Sequence, residues 1–218
     1  MELKNKKINF LGDSITEGLG VSCEEHIYLN ILKKEAGLAE ARNYGISGTR
    51  IAAQLHPEHP DWDQDFISRV ETMEDDADAV VVFGGTNDYG HGDAPLGDFS
   101  DRTPYTFYGA CHVLLEKLIQ KYPSGTIVVM TPLHRLGEED PKGDGSKAVG
   151  TAPLSVYVGI LKEVAQYYAV PVLDLYAVSG IQPCVPVLQE RFCPDGLHPN
   201  DEGHKRIAAR LKGFLQTL

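Results

Sequence analysis

Apolar positions along this chain fall into two alternating rhythms. Short β-prone runs occur at 8–11, 42–44, 79–83, 126–130 and 170–173, and Ala79-Val80-Val81-Val82-Phe83 is apolar throughout. Between them lie longer segments of helical period, at about 26–36, 62–72, 104–121, 153–168 and 201–215. In the third of these, Phe107, Ala110, Leu114 and Leu118 share one face, as a 3.6-residue repeat requires. In the last, Ile207, Ala208, Leu211 and Leu215 do the same. Asn200 stands where an N-cap belongs, and Asp201 and Glu202 suit the first turn.

Strands that alternate with helices and are apolar on both faces predict a parallel sheet covered on each side. Right-handed crossovers then predict a flavodoxin-like three-layer α/β/α sandwich, with five parallel strands in the order 2-1-3-4-5. In that order the switch point lies between strands 1 and 3. Ser14 follows the first and Asn87 follows the third, so both are expected at the crevice where such sheets bind ligands. No repeat or low-complexity linker interrupts the pattern, and 1–218 reads as one domain. Two aperiodic segments, 89–103 and 134–151, follow strand ends and are expected to overhang the crevice; for the second, a solvated surface loop is an equal reading.

Composition narrows the function. The formal net charge of −11 argues against nucleic acid and against anionic membranes as partners. Residues 1–7 are polar, and the apolar run at 8–11 is too short for a signal-peptide core or a membrane span. A cytoplasmic location is therefore expected. Cys23, Cys111, Cys184 and Cys193 are widely spread and read as free thiols; a Cys184–Cys193 bridge has no positive support.

The chemistry sits in four short blocks. Gly12-Asp13-Ser14-Ile15 follows the first strand, where a serine can project its hydroxyl into the crevice or merely cap the next helix. It is neither the Gly-x-Ser-x-Gly elbow of the α/β-hydrolases nor a P-loop. Ser47-Gly48-Thr49 offers a backbone N–H that can be approached closely, and Gly85-Thr86-Asn87-Asp88 offers an uncharged amide donor; either block is also ordinary turn chemistry. Asp195-Gly196-Leu197-His198-Pro199 can place a carboxylate on one ring nitrogen of a histidine and leave the other free for a nucleophile. Alone it reads as a turn aspartate and a surface histidine. Taken together, the blocks supply the parts for acyl transfer through a covalent serine intermediate.

The four blocks resemble those of the SGNH hydrolases, also called the GDSL lipase/esterase family, over nearly the whole chain. Ile15 stands where the family name has leucine. The resemblance implies that Ser14 is the nucleophile, Asp195 and His198 complete the catalytic set, and the Ser14 and Gly48 N–H groups with the Asn87 side chain form the oxyanion hole. It also implies a flavodoxin-like fold and no metal or organic cofactor.

Several residues have a smaller place. Asp13 and Asp88 read as turn-stabilising carboxylates; Asp13, Tyr89 and His91 are also candidate substrate contacts. His56-Pro57-Glu58-His59 with Asp61, Asp63 and Asp65 carries metal-ligand types, but two prolines interrupt it and a solvated acidic loop is the stronger reading. His91, His134 and His204 are expected at the surface. The apolar stretch 181–192 suits a pocket wall or a dimer contact, so a homo-oligomer is conceivable. The expected activity is a serine esterase acting on a small-molecule ester of short acyl chain, such as an acetylated carbohydrate. A thioesterase or lysophospholipase is the enzymatic alternative, and a non-catalytic ligand-binding module is the alternative of another class.

Overall fold

The computed structural model describes residues 1–57, 63–145, 147 and 150–218. Five strands, β1 (Lys7–Gly12), β2 (Glu40–Gly45), β3 (Ala79–Phe83), β4 (Thr126–Met130) and β5 (Val172–Leu173), form one sheet in the order β2-β1-β3-β4-β5. Every pair is parallel, with Phe10 beside Asn43 on one side and beside Val81 on the other. The expected strand order and three-layer architecture are those observed.

The helices are α1 (Ser14–Glu17), α2 (Tyr28–Ala36), α3 (Phe66–Arg69), α4 (Thr86–Gly90), α5 (Phe107–Lys121), α6 (Leu154–Tyr167), α7 (Leu175–Val178), α8 (Pro186–Phe192) and α9 (Asp201–Thr217). Strand side chains alternate between two cores, as a period of 2 dictates. Leu11, Val80, Val82 and Val129 meet α3, α5 and α6 on one face. Ile8, Phe10, Val81, Phe83 and Val128 meet α2 and α9 on the other. Asn200 caps α9 as expected, accepting from the N–H groups of Glu202 and Gly203 at 3.1 Å each.

Several expectations need correction. The helix expected over 62–72 is only α3 followed by a 3₁₀ turn, started where the Asp65 carboxylate accepts the Ser68 N–H at 2.8 Å; Trp62 lies outside the described residues. The helix at 26–36 begins two residues later, after a 3₁₀ turn at Glu24–His26. His204 is fully buried rather than at the surface, because it points from α9 into the α2 layer. The four cysteines are unpaired; Cys111 and Cys193 are buried, whereas Cys23 and Cys184 are exposed.

His204 makes the fold sensitive to acid. Its Nδ1 accepts the Tyr28 N–H at 3.1 Å, satisfying an orphan donor at the start of α2, and so must be unprotonated. Burial pushes its pKa down to about 4. Between that value and the ordinary histidine value of about 6.5, the unfolded chain binds a proton that the folded one does not. Stability therefore rises with pH across this window and is lost as pH falls through it, by on the order of 3 kcal/mol. Between pH 4 and 7, lowering the pH should cost the native chain more melting temperature than it costs His204→Gln. Parallel curves would remove His204 as the source.

Candidate active site

The site is assembled at the carboxyl ends of β1 and β3. The Asp13 carboxylate caps α1 by accepting the Ile15 N–H at 3.0 Å, and Gly18, at φ 112°, ends the helix after one turn. Ser14 is thus the first helical residue, and among the described residues its N–H has no acceptor. The end of β2 is pressed against this turn. A Cβ on Gly45 would lie 2.1 Å from the Glu17 nitrogen, so only glycine fits there. The Glu17 carboxylate accepts the Ser47 N–H at 2.7 Å, and the Ser47 hydroxyl donates to the same oxygen. Gly48 then takes the left-handed conformation, φ 76°, and its N–H likewise has no acceptor among the described residues.

Asn87 lies in α4, directly after β3. Its amide donates one N–H to the Thr49 carbonyl at 3.0 Å, which leaves the second for the cavity. The neighbouring Asp88 carboxylate accepts the Ile51 and Ala52 N–H groups at 2.9 Å each. The segment that follows Gly48 and the helix carrying Asn87 are therefore joined by three hydrogen bonds. Buried Arg69 joins the same segment to the ends of β1 and β2: it donates to the carbonyls of Tyr44 at 2.7 Å and Gly12 at 3.0 Å, and to the Thr49 hydroxyl at 2.9 Å.

From the other side, the loop before α9 brings His198 to Ser14. Its Nε2 stands 3.1 Å from the Ser14 hydroxyl, and its Nδ1 stands 2.7 Å from the Asp195 carboxylate. A carboxylate can only accept, so Nδ1 carries the proton and Nε2 is left to accept from Ser14. Asp195 also accepts the N–H groups of Leu197 at 2.8 Å and His198 at 2.6 Å. Burial opposes its ionisation, but these N–H groups and the imidazole outweigh it and hold the carboxyl below its ordinary pKa. Ser14, Gly48, Asn87 and His198 all line one cavity of about 1080 Å³.

The candidate substrate contacts divide. His91 lines this cavity; burial, reinforced by the Arg50 guanidinium, pushes its pKa down to about 4. Asp13 and Tyr89 do not line it. Asp13 is turned inward as the α1 cap, and burial raises its pKa to about 7. Tyr89 is buried, and its hydroxyl donates to the carbonyls of Gly137 and Asp140, the latter at 2.9 Å. The stretch 181–192 is no pocket wall either: Ile181 and Phe192 enter the core beside α9, while Val187 is exposed. Of the acidic segment, Glu58, His59 and Asp61 lie outside the described residues; Asp63 pairs with Arg50, and the Asp93 carboxylate accepts from His56. Among the described residues no group of His, Cys, Asp and Glu side chains could hold a metal ion.

The model of the GDSL-like lipase/acylhydrolase family matches residues 10–206. The chain belongs to that family. A solved protein from Lactobacillus plantarum is 32% identical, with 98% of each chain covered and a TM-score of 0.83. A possible lipase from Chitinophaga pinensis shares 21% identity over 97% of this chain and 98% of its own, at a TM-score of 0.68. An acetyl xylan esterase shares 21% over 95% of this chain and 98% of its own, at 0.63. These last two show a common fold. No curated protein sequence matches the chain. Among the described residues no helix is long and apolar enough to cross a membrane.

Proposed function

We propose that this family member is a serine esterase that cleaves short acyl esters, acetylated carbohydrates foremost, through an acyl-serine intermediate. The observation that carries the reading is the unbroken relay from the Ser14 hydroxyl through both nitrogens of His198 to Asp195. His198 Nε2 takes the proton as Ser14 Oγ attacks the ester carbonyl. The developing oxyanion meets the N–H groups of Ser14 and Gly48 and the second N–H of Asn87. His198 then gives its proton to the departing alcohol. Water, deprotonated by the same nitrogen, releases the acid and restores Ser14.

Cavity chemistry favours a short acyl group. Beyond Ser14 the walls carry Arg50, Asp93 and Lys147 beside the apolar Pro95 and Leu96, so a long alkyl chain would have to displace water from charged groups without replacing it. The fold neighbour that is an acetyl xylan esterase is consistent with a small acyl group on a sugar. The test is kcat/KM on 4-nitrophenyl esters of rising acyl length. Acetate should exceed dodecanoate by at least about tenfold, because the extra methylenes would lie against charged walls; an apolar channel would reverse the order, each buried methylene being worth about 0.8 kcal/mol. A preference for dodecanoate would move the assignment to a lysophospholipase or long-chain thioesterase.

A further inference from the structure

The cavity reaches well past Ser14, and its far end holds side chains that acyl transfer does not use. Lys147 Nζ donates to the Asp88 carbonyl at 2.8 Å and to the Tyr157 hydroxyl at 3.0 Å, with the ammonium 5.2 Å from the Tyr157 ring centre. Two of its three donors are thus committed, and the third remains for the cavity it lines. Among the described residues no carboxylate lies within ion-pair distance of it. His91 is held similarly. Its Nδ1 accepts from Arg50 Nη1 at 2.7 Å, so its own proton is on Nε2, which has no acceptor among the described residues. Two immobilised donors therefore face the same space.

The charges around that space cancel. Lys147 and Arg50 stand with Asp63, Asp93 and Asp144 in the wall, and Arg135 pairs with Asp144. Asp93 already accepts the Leu55 and His56 N–H groups at 2.8 Å each, yet a carboxylate retains further acceptor sites. A ligand carboxylate would be set against Asp93 and Asp144, and a ligand ammonium against Lys147 and Arg50. A hydroxyl both donates and accepts, and so suits a wall of mixed sign. Pro95 and Leu96 supply an apolar surface for the C–H face of a ring.

We infer that Lys147 and His91 form the subsite for the alcohol half of the substrate, and that this half is an uncharged, polyhydroxylated ring. The inference rests on the esterase reading for the identity of the ligand, but it is tested by binding rather than turnover. Acetylated xylobiose would be titrated by calorimetry into Ser14→Ala protein and into Ser14→Ala/Lys147→Met protein. Methionine preserves the stem against Tyr157. Loss of a charge-assisted hydrogen bond should weaken binding by about 10- to 100-fold. Equal affinities, or no binding to Ser14→Ala protein, would overturn the subsite.

A second measurement needs only the Ser14→Ala protein. O-acetylated glucose should bind at least about tenfold more tightly than O-acetylated glucuronate or O-acetylated glucosamine with its amine free, the carboxylate- and ammonium-bearing partners. Tighter binding of either charged sugar would replace the neutral ring with that class and overturn the inference. The two readings fail separately. Turnover of 4-nitrophenyl acetate without sugar binding removes the subsite alone. Sugar binding without any turnover removes the esterase alone.

Discussion

Ser14→Ala should lower kcat by about 10⁴- to 10⁶-fold on any ester the chain hydrolyses. The substitution deletes the atom that forms the covalent bond, leaving only binding and the oxyanion donors, which retain a small residual rate. Folding should be nearly untouched. The Ser14 hydroxyl makes one described hydrogen bond, to His198, whereas α1 is held by the Asp13 carboxylate and the Gly18 turn. One net hydrogen bond corresponds to a melting shift of only about 2–4 °C in a chain of this size. Steady-state kinetics beside a thermal melt checks both halves. More than about 1% residual activity with an unchanged melt would mean that another group attacks the ester.

Asn87→Ala should cost about 100- to 1000-fold in kcat with little change in KM. Its free N–H is set for charge that exists only as the tetrahedral intermediate forms, so its loss falls on the transition state. The position of the amide is built in: one N–H is bonded to Thr49, and Asp88 holds the following residues Ile51 and Ala52. The same anchoring predicts that alanine leaves α4 in place, because Asp88 keeps both of its bonds. A loss below tenfold, or a rise in KM that accounts for the whole effect, would take Asn87 out of the oxyanion hole.

How legible these features were depends on the range of the forces that create them. β1, β3 and β4 were legible because central strands are apolar on both faces. β2 was seen only in part: as an edge strand it keeps Glu40 and Arg42 on partly exposed positions, and its pairing of Glu40 with Lys7 leaves no apolar mark. α1 and α4, at four and five residues, are too short for periodicity. They are set by a cap or a left-handed glycine, Asp13 for one and Gly85 for the other. Each block of the candidate site is a local turn, so its residue types were readable in order along the chain. The fold supplies what the blocks lack, bringing Ser14 and His198 together across 184 positions.

The supports of the site were not legible. Arg69 joins Gly12, Tyr44 and Thr49 from α3, a helix of four residues whose sequence gives no sign of these contacts. Lys147 reaches Asp88 from a charged, glycine-rich loop in which every lysine looks solvated. Asp13 is the turn-stabilising carboxylate that one of its two readings expects, and neither it nor Tyr89 lines the cavity. Closeness to a functional residue in sequence suggested contact with substrate, whereas consecutive positions in a helical turn point in different directions. Tyr89 turns towards Gly137 and Asp140, and Asp13 towards Ile15.

The most direct test of the central claim is intact mass after incubation with a fluorophosphonate, followed by peptide mapping. An activated serine attacks phosphorus and retains the phosphonyl group, whereas an ordinary hydroxyl does not react. A single adduct on Ser14, absent in Ser14→Ala and in His198→Ala protein, is the predicted result. No adduct on folded protein, or an adduct confined to another residue, would contradict the esterase reading and leave the cavity as a binding site.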